Sequence, residues 1–182
     1  MADTAITAPD DPLIYLAHHS AYSDQALRSV LSKVRTMVMV GASGNWKRPS
    51  FFAMKYLQKR GYRVIPVNPS RAGDEILGET VYPSLSDVPD RFEMVDIFRS
   101  SEAAYGVTQE AVANKDAKGI QVVWMQLGVR NDAAADLAEA AGLAVIMDRC
   151  PKIEYGRLSG ELSWFGVNSR IITSKTLRSP KR

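Results

Sequence analysis

The segment 36–50, with the sequence TMVMVGASGNWKRPS, restricts the fold of this chain more than any other segment. A short apolar run is followed at once by a G-x-x-G pattern that begins at Gly41, and Pro49 then opens a helical pattern. This order of residues predicts a buried strand that turns tightly into the first turn of a helix. The amides of a helix N-terminus attract phosphate, and Lys47 and Arg48 add two positive charges there.

The glycine pattern of this turn does not by itself identify a ligand. Its spacing is G-x-x-G, whereas the complete dinucleotide fingerprint is G-x-G-x-x-G, and the P-loop pattern G-x-x-x-x-G-K-[ST] does not occur in this turn. We favour a phosphate site, because nucleotide-binding α/β folds commonly use such a turn. The alternative is a plain strand-to-helix turn with a solvated Lys-Arg pair.

Strand and helix patterns alternate from the glycine turn onward. The apolar runs predict strands at 36–40, 62–67, 93–98, 120–125 and 143–147, with helices at 50–60, 100–114 and 131–141 between them. This alternation predicts an α/β fold, a Rossmann-like doubly wound parallel sheet of five strands in the order 3-2-1-4-5, preceded by a helical extension. Ligands of such sheets bind at the carboxyl ends of the strands, where the chain reverses direction.

The chain is predicted to consist of one domain and two extensions. Residues 1–34 form an N-terminal extension with one or two helices, residues 35–158 form the Rossmann-like domain, and residues 159–182 form a C-terminal extension with a basic tail. Trp164 and Phe165 are expected to pack against the sheet edge or a partner subunit, which makes a homodimer one prediction. The basic run from Arg170 onward is interpreted as a solvated tail.

Composition argues against several classes of protein. No apolar run is long enough to span a bilayer, and the N-terminus does not resemble a secretory signal. The single cysteine fits a reducing compartment, so we predict a cytoplasmic protein. The net charge of +3 comes from scattered basic residues, which does not favour nucleic acid as a partner. His18 and His19 have no ligand-spaced cysteine or carboxylate, so no metal site is predicted.

The predicted carboxyl ends of the strands carry more binding groups than catalytic groups. An NAD site has an acid after the second strand, but Asn68, Pro69 and Arg71 follow it here, which suits NADP or coenzyme A. Asp148 and Cys150 are the titratable groups at these ends besides arginines, and no histidine accompanies the cysteine. We therefore predict a binding protein without a catalytic residue.

Six short blocks of sequence carry a resemblance to a known family. They are VGAS with RPS within 40–50, GYRVIPVNP at 61–69, ILGE at 76–79, VDIFR at 95–99, WMQLGV at 124–129 and MDRCPK at 147–152. In this order they closely resemble the CoA-binding domain family of small bacterial proteins. That family is similar to the CoA-binding domain of the succinyl-CoA synthetase alpha subunit, and the resemblance covers roughly residues 30–158.

The resemblance implies a stand-alone domain that binds coenzyme A. By position, it implies that the pyrophosphate is lined by Gly41, Ala42, Ser43 and Asn45, and that the phosphates are approached by Lys47, Arg48 and Ser50. It implies that the nucleotide is bordered by Asn68 and Pro69, and that the adenine side holds Phe98 and Arg99. The pantetheine arm would contact Gln126 and Leu127. Synthetase activity is not implied, because the chain after Cys150 is too short to supply the synthetase's second domain with its phosphorylated histidine.

Arg71 and Cys150 carry two further expectations. Arg71 is predicted to bind the ribose phosphate, because a guanidinium can contact two of its oxygens at once. Cys150 stands beside Arg149, whose charge would favour a thiolate and with it a mixed disulfide with the CoA thiol. The alternative for Cys150 is a small buried residue, the commoner situation of a free cysteine.

The preferred interpretation is a cytoplasmic protein that binds CoA or an acyl-CoA. Two alternatives stay open. An NADP-dependent oxidoreductase is suggested by the glycine turn and Arg71, although no acid-base group accompanies them. An interaction module, whose ligand regulates a partner protein, is the other.

Overall fold

The computed structural model describes residues 19–160, which form a parallel sheet with helices on both faces. The α/β class, the Rossmann-like arrangement and the five predicted parallel strands are thereby confirmed. The predictions for residues 1–18 and 161–182, among them the packing of Trp164 and Phe165 and the basic tail, lie outside the described residues.

Within residues 19–160, seven strands form two sheets. In chain order they are β1 (Thr36–Val40), β2 (Arg63–Val67), β3 (Glu75–Ile76), β4 (Glu79–Thr80), β5 (Met94–Ile97), β6 (Val122–Met125) and β7 (Ala144–Ile146). The two-residue strands β3 and β4 pair antiparallel with each other. The other five form one parallel sheet in the order β2-β1-β5-β6-β7.

In the same described part of the chain, six helices connect and flank these strands. They are α1 (Asp24–Lys33), α2 (Pro49–Lys59), α3 (Ser101–Ala113), α4 (Lys115–Lys118), α5 (Asp132–Ala140) and α6 (Pro151–Leu158), with a 3₁₀ turn at Pro69–Arg71. Two helices, α4 and α6, were not predicted from the sequence. Helix α6 begins with Pro151 at the first helical position, where proline is favoured. Within residues 19–160, no helix has the length and apolar character needed to cross a bilayer.

The predicted strand order 3-2-1-4-5 is wrong. The third parallel strand, β5, pairs with β1 on the side away from β2, so the order counted along the chain is 2-1-3-4-5. Pro66 in β2 explains the difference, because it has no N–H for a strand on the outer side, and proline is therefore confined to edge strands. Tyr82 occupies that side: its N–H donates to the Pro66 carbonyl at 3.0 Å. The topological switch point consequently lies between β1 and β5.

Different helices cover the two faces of the parallel sheet. Helices α1, α2 and α6 pack on the face that includes Met37, Met39 and Trp124. Helices α3 and α5 pack on the face that includes Val38 and Val123. Because successive strand residues point to opposite faces, strands covered on both sides are apolar at nearly every position, and Asp96 in β5 is a buried exception.

Tyr62 connects α1, β2 and α6. Its hydroxyl donates to the carbonyl oxygen of Leu31 at 2.7 Å, and its ring meets the Tyr155 ring edge to face with the centroids 5.9 Å apart. Leu31 lies in the last turn of α1, where carbonyls lack a partner within the helix. The hydroxyl therefore completes the hydrogen bonding at this helix end, and burial raises the pKa of Tyr62 to about 12.

Replacing the Tyr62 hydroxyl tests this connection. Tyr62→Phe should lower the free energy of unfolding by about 1–3 kcal/mol, because the buried Leu31 carbonyl loses its donor while the ring remains. Urea denaturation followed by circular dichroism measures the change. Tyr105→Phe is the matched control, since the Tyr105 side chain is 37% exposed. Equal stability of the two variants would contradict the assignment.

Candidate ligand-binding site

The carboxyl ends of β1 and β5 approach each other closely at Gly41. Gly41 has a φ of +89°, and a Cβ at this position would lie 2.3 Å from the carbonyl oxygen of Phe98. A larger residue would therefore force the two strand ends apart. The N–H of Phe98 donates to the Val40 carbonyl at 2.8 Å, which ties the ends together. The glycine turn, residues 41–48, thus begins at the switch point of the sheet.

A cavity of about 310 Å³ lies between the glycine turn and the first turn of α2, and we call it the turn cavity. It is lined by Gly41, Ser43, Arg48, Pro49, Ser50 and Phe98. Arg48 occupies the N-cap position of α2 without a side-chain capping bond, whereas serine or asparagine side chains cap α1, α3 and α5. Pro49 has no N–H and the Phe51 N–H donates to the Arg48 carbonyl at 3.1 Å, which leaves the Ser50 N–H in this first turn available to an anion.

Three cationic side chains, Lys47, Arg48 and Arg99, lie at this edge of the sheet. In the part of the chain that the structure describes, none of the three forms an ion pair. By contrast, Arg63 and Arg157 each contact two acidic side chains. The uncompensated charge at the glycine turn favours a ligand with several negative charges.

A second cavity, of about 590 Å³, adjoins the turn cavity and shares Pro49 and Phe98 with it. Its apolar lining also includes Phe52, Ala53, Leu127, Val129 and Ile153, and we call it the apolar cavity. Its polar lining consists of Lys47, Arg99, Gln126, Cys150 and Lys152. The side chains of Phe52, Leu127 and Ile153 are 48%, 55% and 43% exposed. A ligand in this cavity would remove their apolar surface from water.

A third cavity, of about 360 Å³, lies beside the β3–β4 pair, and we call it the hairpin cavity. It is lined by Gly44, Asn45, Arg71, Asp74, Glu75 and Ile76. The Arg71 Nη1 lies 3.3 Å from the Asp74 Oδ2 in an exposed ion pair. The Asp74 carboxylate therefore offsets part of the charge of Arg71, the residue predicted to bind the ribose phosphate.

Three predicted site residues line none of these three cavities: Ala42, Asn68 and Pro69. The Ala42 side chain is buried in the core. The Asn68 Nδ2 donates to the Ala42 carbonyl at 2.8 Å, and its Oδ1 accepts from the Ser70 N–H at 3.1 Å. Asn68 thus attaches the glycine turn to the end of β2. The other predicted site residues each line at least one of the cavities.

Asp96, which was not predicted as a site residue, lies within β5 and is fully buried. The Gln126 Nε2 donates to both of its carboxylate oxygens, at 2.9 and 3.2 Å. Burial raises the pKa of Asp96 to about 7, and the hydrogen bond from Gln126 acts in the opposite direction. An aspartate inside an apolar strand was the signal that the sequence offered.

Cys150 lacks the activation by Arg149 that the sequence analysis expected. Cys150 lines the apolar cavity but is only 8% exposed, and burial raises the pKa of its thiol. The negative charge of Asp96 raises that pKa further. The guanidinium of Arg149 lies over the Tyr22 ring instead, 5.7 Å from its centroid. These observations favour the small buried residue over the reactive thiolate.

A cavity of about 660 Å³ lies at the opposite, amino edge of the sheet. Arg28, Arg35, Tyr62 and Tyr155 contribute to its lining, and no predicted site residue does. It is larger than each of the three cavities at the carboxyl edge, but it is remote from the switch point where open α/β sheets bind ligands. The carboxyl edge is therefore the candidate site.

Comparison with known proteins connects this chain to one family. The family described as CoA binding domain matches residues 35–156. The chain is 34% identical to the Bacillus subtilis protein YneT over 133 residues, which are 73% of this chain and 94% of YneT. The solved structure of a hypothetical protein from Pyrococcus horikoshii OT3 is 36% identical, with a TM-score of 0.71 over 77% of this chain and 94% of that chain.

A more distant similarity is to an enzyme that uses CoA. The chain is 32% identical over 91 residues to the ADP-forming acetate–CoA ligase II of Archaeoglobus fulgidus. The aligned region is 49% of this chain and 13% of the ligase. The similarity thus concerns a small part of the ligase.

The buried carboxyl of Asp96 makes stability depend on pH. Because its pKa is raised in the folded state, the folded chain holds more protons than the unfolded chain between about pH 4 and 7. Its contribution to stability is therefore present at low pH and is lost as the pH rises through about 7. Asp96→Asn should gain stability relative to the wild type, by about 2–3 kcal/mol more at pH 8 than at pH 5. Urea denaturation at both pH values measures this, and parallel pH profiles would refute it.

Proposed function

The chain belongs to the CoA binding domain family, and we propose that it binds coenzyme A or an acyl-CoA at the carboxyl edge of its parallel sheet. The observation that supports this most directly is the junction of the turn cavity with the apolar cavity at Pro49 and Phe98. One cavity suits an anion and the next suits an apolar chain. Coenzyme A is a ligand with these two parts in that order.

We place the diphosphate of the ligand in the turn cavity. There it would accept hydrogen bonds from the N–H and the hydroxyl of Ser50, which lines the cavity in the first turn of α2. Arg48 and Lys47 would contribute charge-assisted contacts. Their lack of acidic partners among residues 19–160 means that no ion pair has to break when the ligand enters.

We place the pantetheine arm in the apolar cavity and the nucleotide toward the hairpin cavity. Gln126 and Leu127 line the apolar cavity, in keeping with the role that the family resemblance implied. Phe98 and Arg99 were assigned to the adenine side, but they line the same cavity, so we propose that they contact the arm. The nucleotide would then lie near Asn45 and Arg71.

We propose that the protein binds this ligand without a reaction of its own. Among the described residues that line the apolar cavity, there is no histidine, and the thiol of Cys150 has a raised pKa. His19 lies elsewhere, with its Nε2 2.7 Å from Glu139. The chain also corresponds to only 13% of the acetate–CoA ligase, so the activity of that enzyme is not assigned to it. A cytoplasmic location is proposed from the single cysteine.

Removing a cation at the glycine turn tests the binding proposal. Arg48→Ala should weaken CoA binding at least tenfold, because a charge-assisted contact of about 1.5–3 kcal/mol is lost. Isothermal titration calorimetry measures the affinity. Arg28→Ala removes an arginine at the amino edge and should leave it unchanged.

The same titrations distinguish the proposal from its alternatives. Wild-type protein that binds NADPH in preference to CoA would support the NADP-dependent oxidoreductase. Wild-type protein that binds neither nucleotide would exclude the proposed function. Equal losses for Arg48→Ala and Arg28→Ala would leave CoA as the ligand and exclude the turn cavity as its phosphate site.

The ribose phosphate of CoA tests the placement of the nucleotide. We expect CoA to bind about fivefold more tightly than dephospho-CoA at low salt, because Arg71 contributes a contact that Asp74 partly offsets. Arg71→Ala should abolish this preference, and Asp74→Asn should increase it. Thermal-shift titrations with both ligands report the preference. Equal thermal shifts from CoA and dephospho-CoA in the wild type would contradict the contact. A preference for CoA that is unaltered in Arg71→Ala would assign the contact to another cationic residue.

A further inference from the structure

Asp96 is a buried carboxyl group without a cationic partner. It lies in β5 at the level of Met39 in β1 and Trp124 in β6, neither of which can titrate or carry charge. Helix α2 covers this face with Ala53, Met54 and other buried apolar residues. The hydrogen bonds that the Asp96 carboxylate accepts come from the Gln126 Nε2. Since buried charges are normally paired, this isolated carboxyl requires an explanation.

Asp96 determines which end of the Gln126 amide points inward. An ionised carboxylate can only accept hydrogen bonds, so the Nε2 of Gln126 must face it, as it does at 2.9 and 3.2 Å. The Oε1 is then at the opposite side of the same amide. No hydrogen bond to Oε1 is formed among the described residues, and this atom is not a buried unpaired acceptor. Because Gln126 lines the apolar cavity, its Oε1 is presented to the space where a ligand would lie.

The backbone around Gln126 is held in place from three sides. The Gln126 N–H donates to the Ile97 carbonyl at 3.3 Å, and the Val129 N–H donates to the Gln126 carbonyl at 2.8 Å. The Gly128 N–H donates to the Asp148 Oδ1 at 2.7 Å. These bonds hold the backbone of the turn, and the two contacts with Asp96 hold the side-chain amide, so a flip of the amide is the change that keeps it beside Asp96.

We propose that Asp96 is a specificity-determining positioning residue, which holds the Gln126 Oε1 toward the apolar cavity as an acceptor for an N–H group of the ligand. This rests on the proposed function, because the secondary amides of the pantetheine arm are the N–H groups that CoA would bring into the cavity. Asp96 acts through Gln126 and does not itself touch the ligand.

Ionisation of Asp96 controls this arrangement. A protonated carboxyl can also donate a hydrogen bond, so it tolerates the flipped Gln126 amide, which presents an NH₂ group to the cavity and cannot accept from the ligand.

Cys150 at the start of α6 is the titratable group that interacts with Asp96, since the charge of Asp96 raises the pKa of Cys150. The charged groups that line the cavity with Gln126 are Lys47, Arg99 and Lys152. Since the pKa of Asp96 is raised to about 7, the change falls near neutral pH.

Asp96→Asn provides the test, because asparagine, like a protonated aspartate, both donates and accepts hydrogen bonds. Calorimetric titration of CoA into the wild type and Asp96→Asn between pH 5.5 and 8.5 yields the ratio of the two affinities. Protonation of CoA itself changes both affinities equally and therefore cancels in this ratio. We expect a ratio near one at pH 5.5 and a wild-type advantage of about twofold at pH 8.5, because an amide that occupies both orientations equally presents its oxygen to the cavity half of the time.

A second variant separates positioning from a general effect of charge. In a Gln126→Met background there is no amide to orient. The single variant Gln126→Met and the double variant that also carries Asp96→Asn should therefore bind CoA with equal affinity at every pH. A constant ratio in the wild-type background would overturn the inference. A ratio that favours Asp96→Asn at high pH would also overturn it, because repulsion between Asp96 and the phosphates would then dominate. Absence of CoA binding by all four proteins would instead exclude the proposed function.

Discussion

The close approach of Gly41 to the carbonyl oxygen of Phe98 is the constraint on which the candidate site depends. A Cβ at Gly41 would lie 2.3 Å from that oxygen, so β1 and β5 can end side by side only with glycine at this position. From these adjacent ends the chain continues to opposite faces of the sheet, to α2 on one face and α3 on the other. The crevice between them is a consequence of that divergence.

Charge and apolar surface are distributed unevenly around this crevice. The N-termini of α2 and α6 both border the apolar cavity, and neither has a side-chain cap. Their partial positive charges add to those of Lys47, Arg99 and Lys152 in the same lining. The negative charge of Asp96 lies below, covered by Gln126. The crevice therefore combines a positive rim with an apolar wall, an arrangement suited to an anionic ligand that also has an apolar part.

Polar side chains within and beside the glycine turn stabilise the turn itself. The Asn68 side chain bonds to the Ala42 carbonyl, and the Asn45 Oδ1 accepts from the Lys47 N–H at 2.9 Å. A tight turn leaves backbone groups without the partners that a helix or strand supplies, and short polar side chains provide them. A family resemblance that transfers roles by position cannot separate such residues from those that contact a ligand, because both occur in the same loop.

The sequence by itself determined the five parallel strands, the helices α1, α2, α3 and α5 and the glycine turn at the first strand's end, because these follow from local periodicity and from residues adjacent in the chain. Only the tertiary structure decided the strand order, since the side of β1 on which β5 pairs depends on Pro66 and Tyr82 closing the outer side of β2. The pKa shifts of Asp96 and Cys150 were likewise decided by the tertiary structure. Burial and the position of a neighbouring charge set a pKa, and both arise from contacts between residues that are distant in sequence.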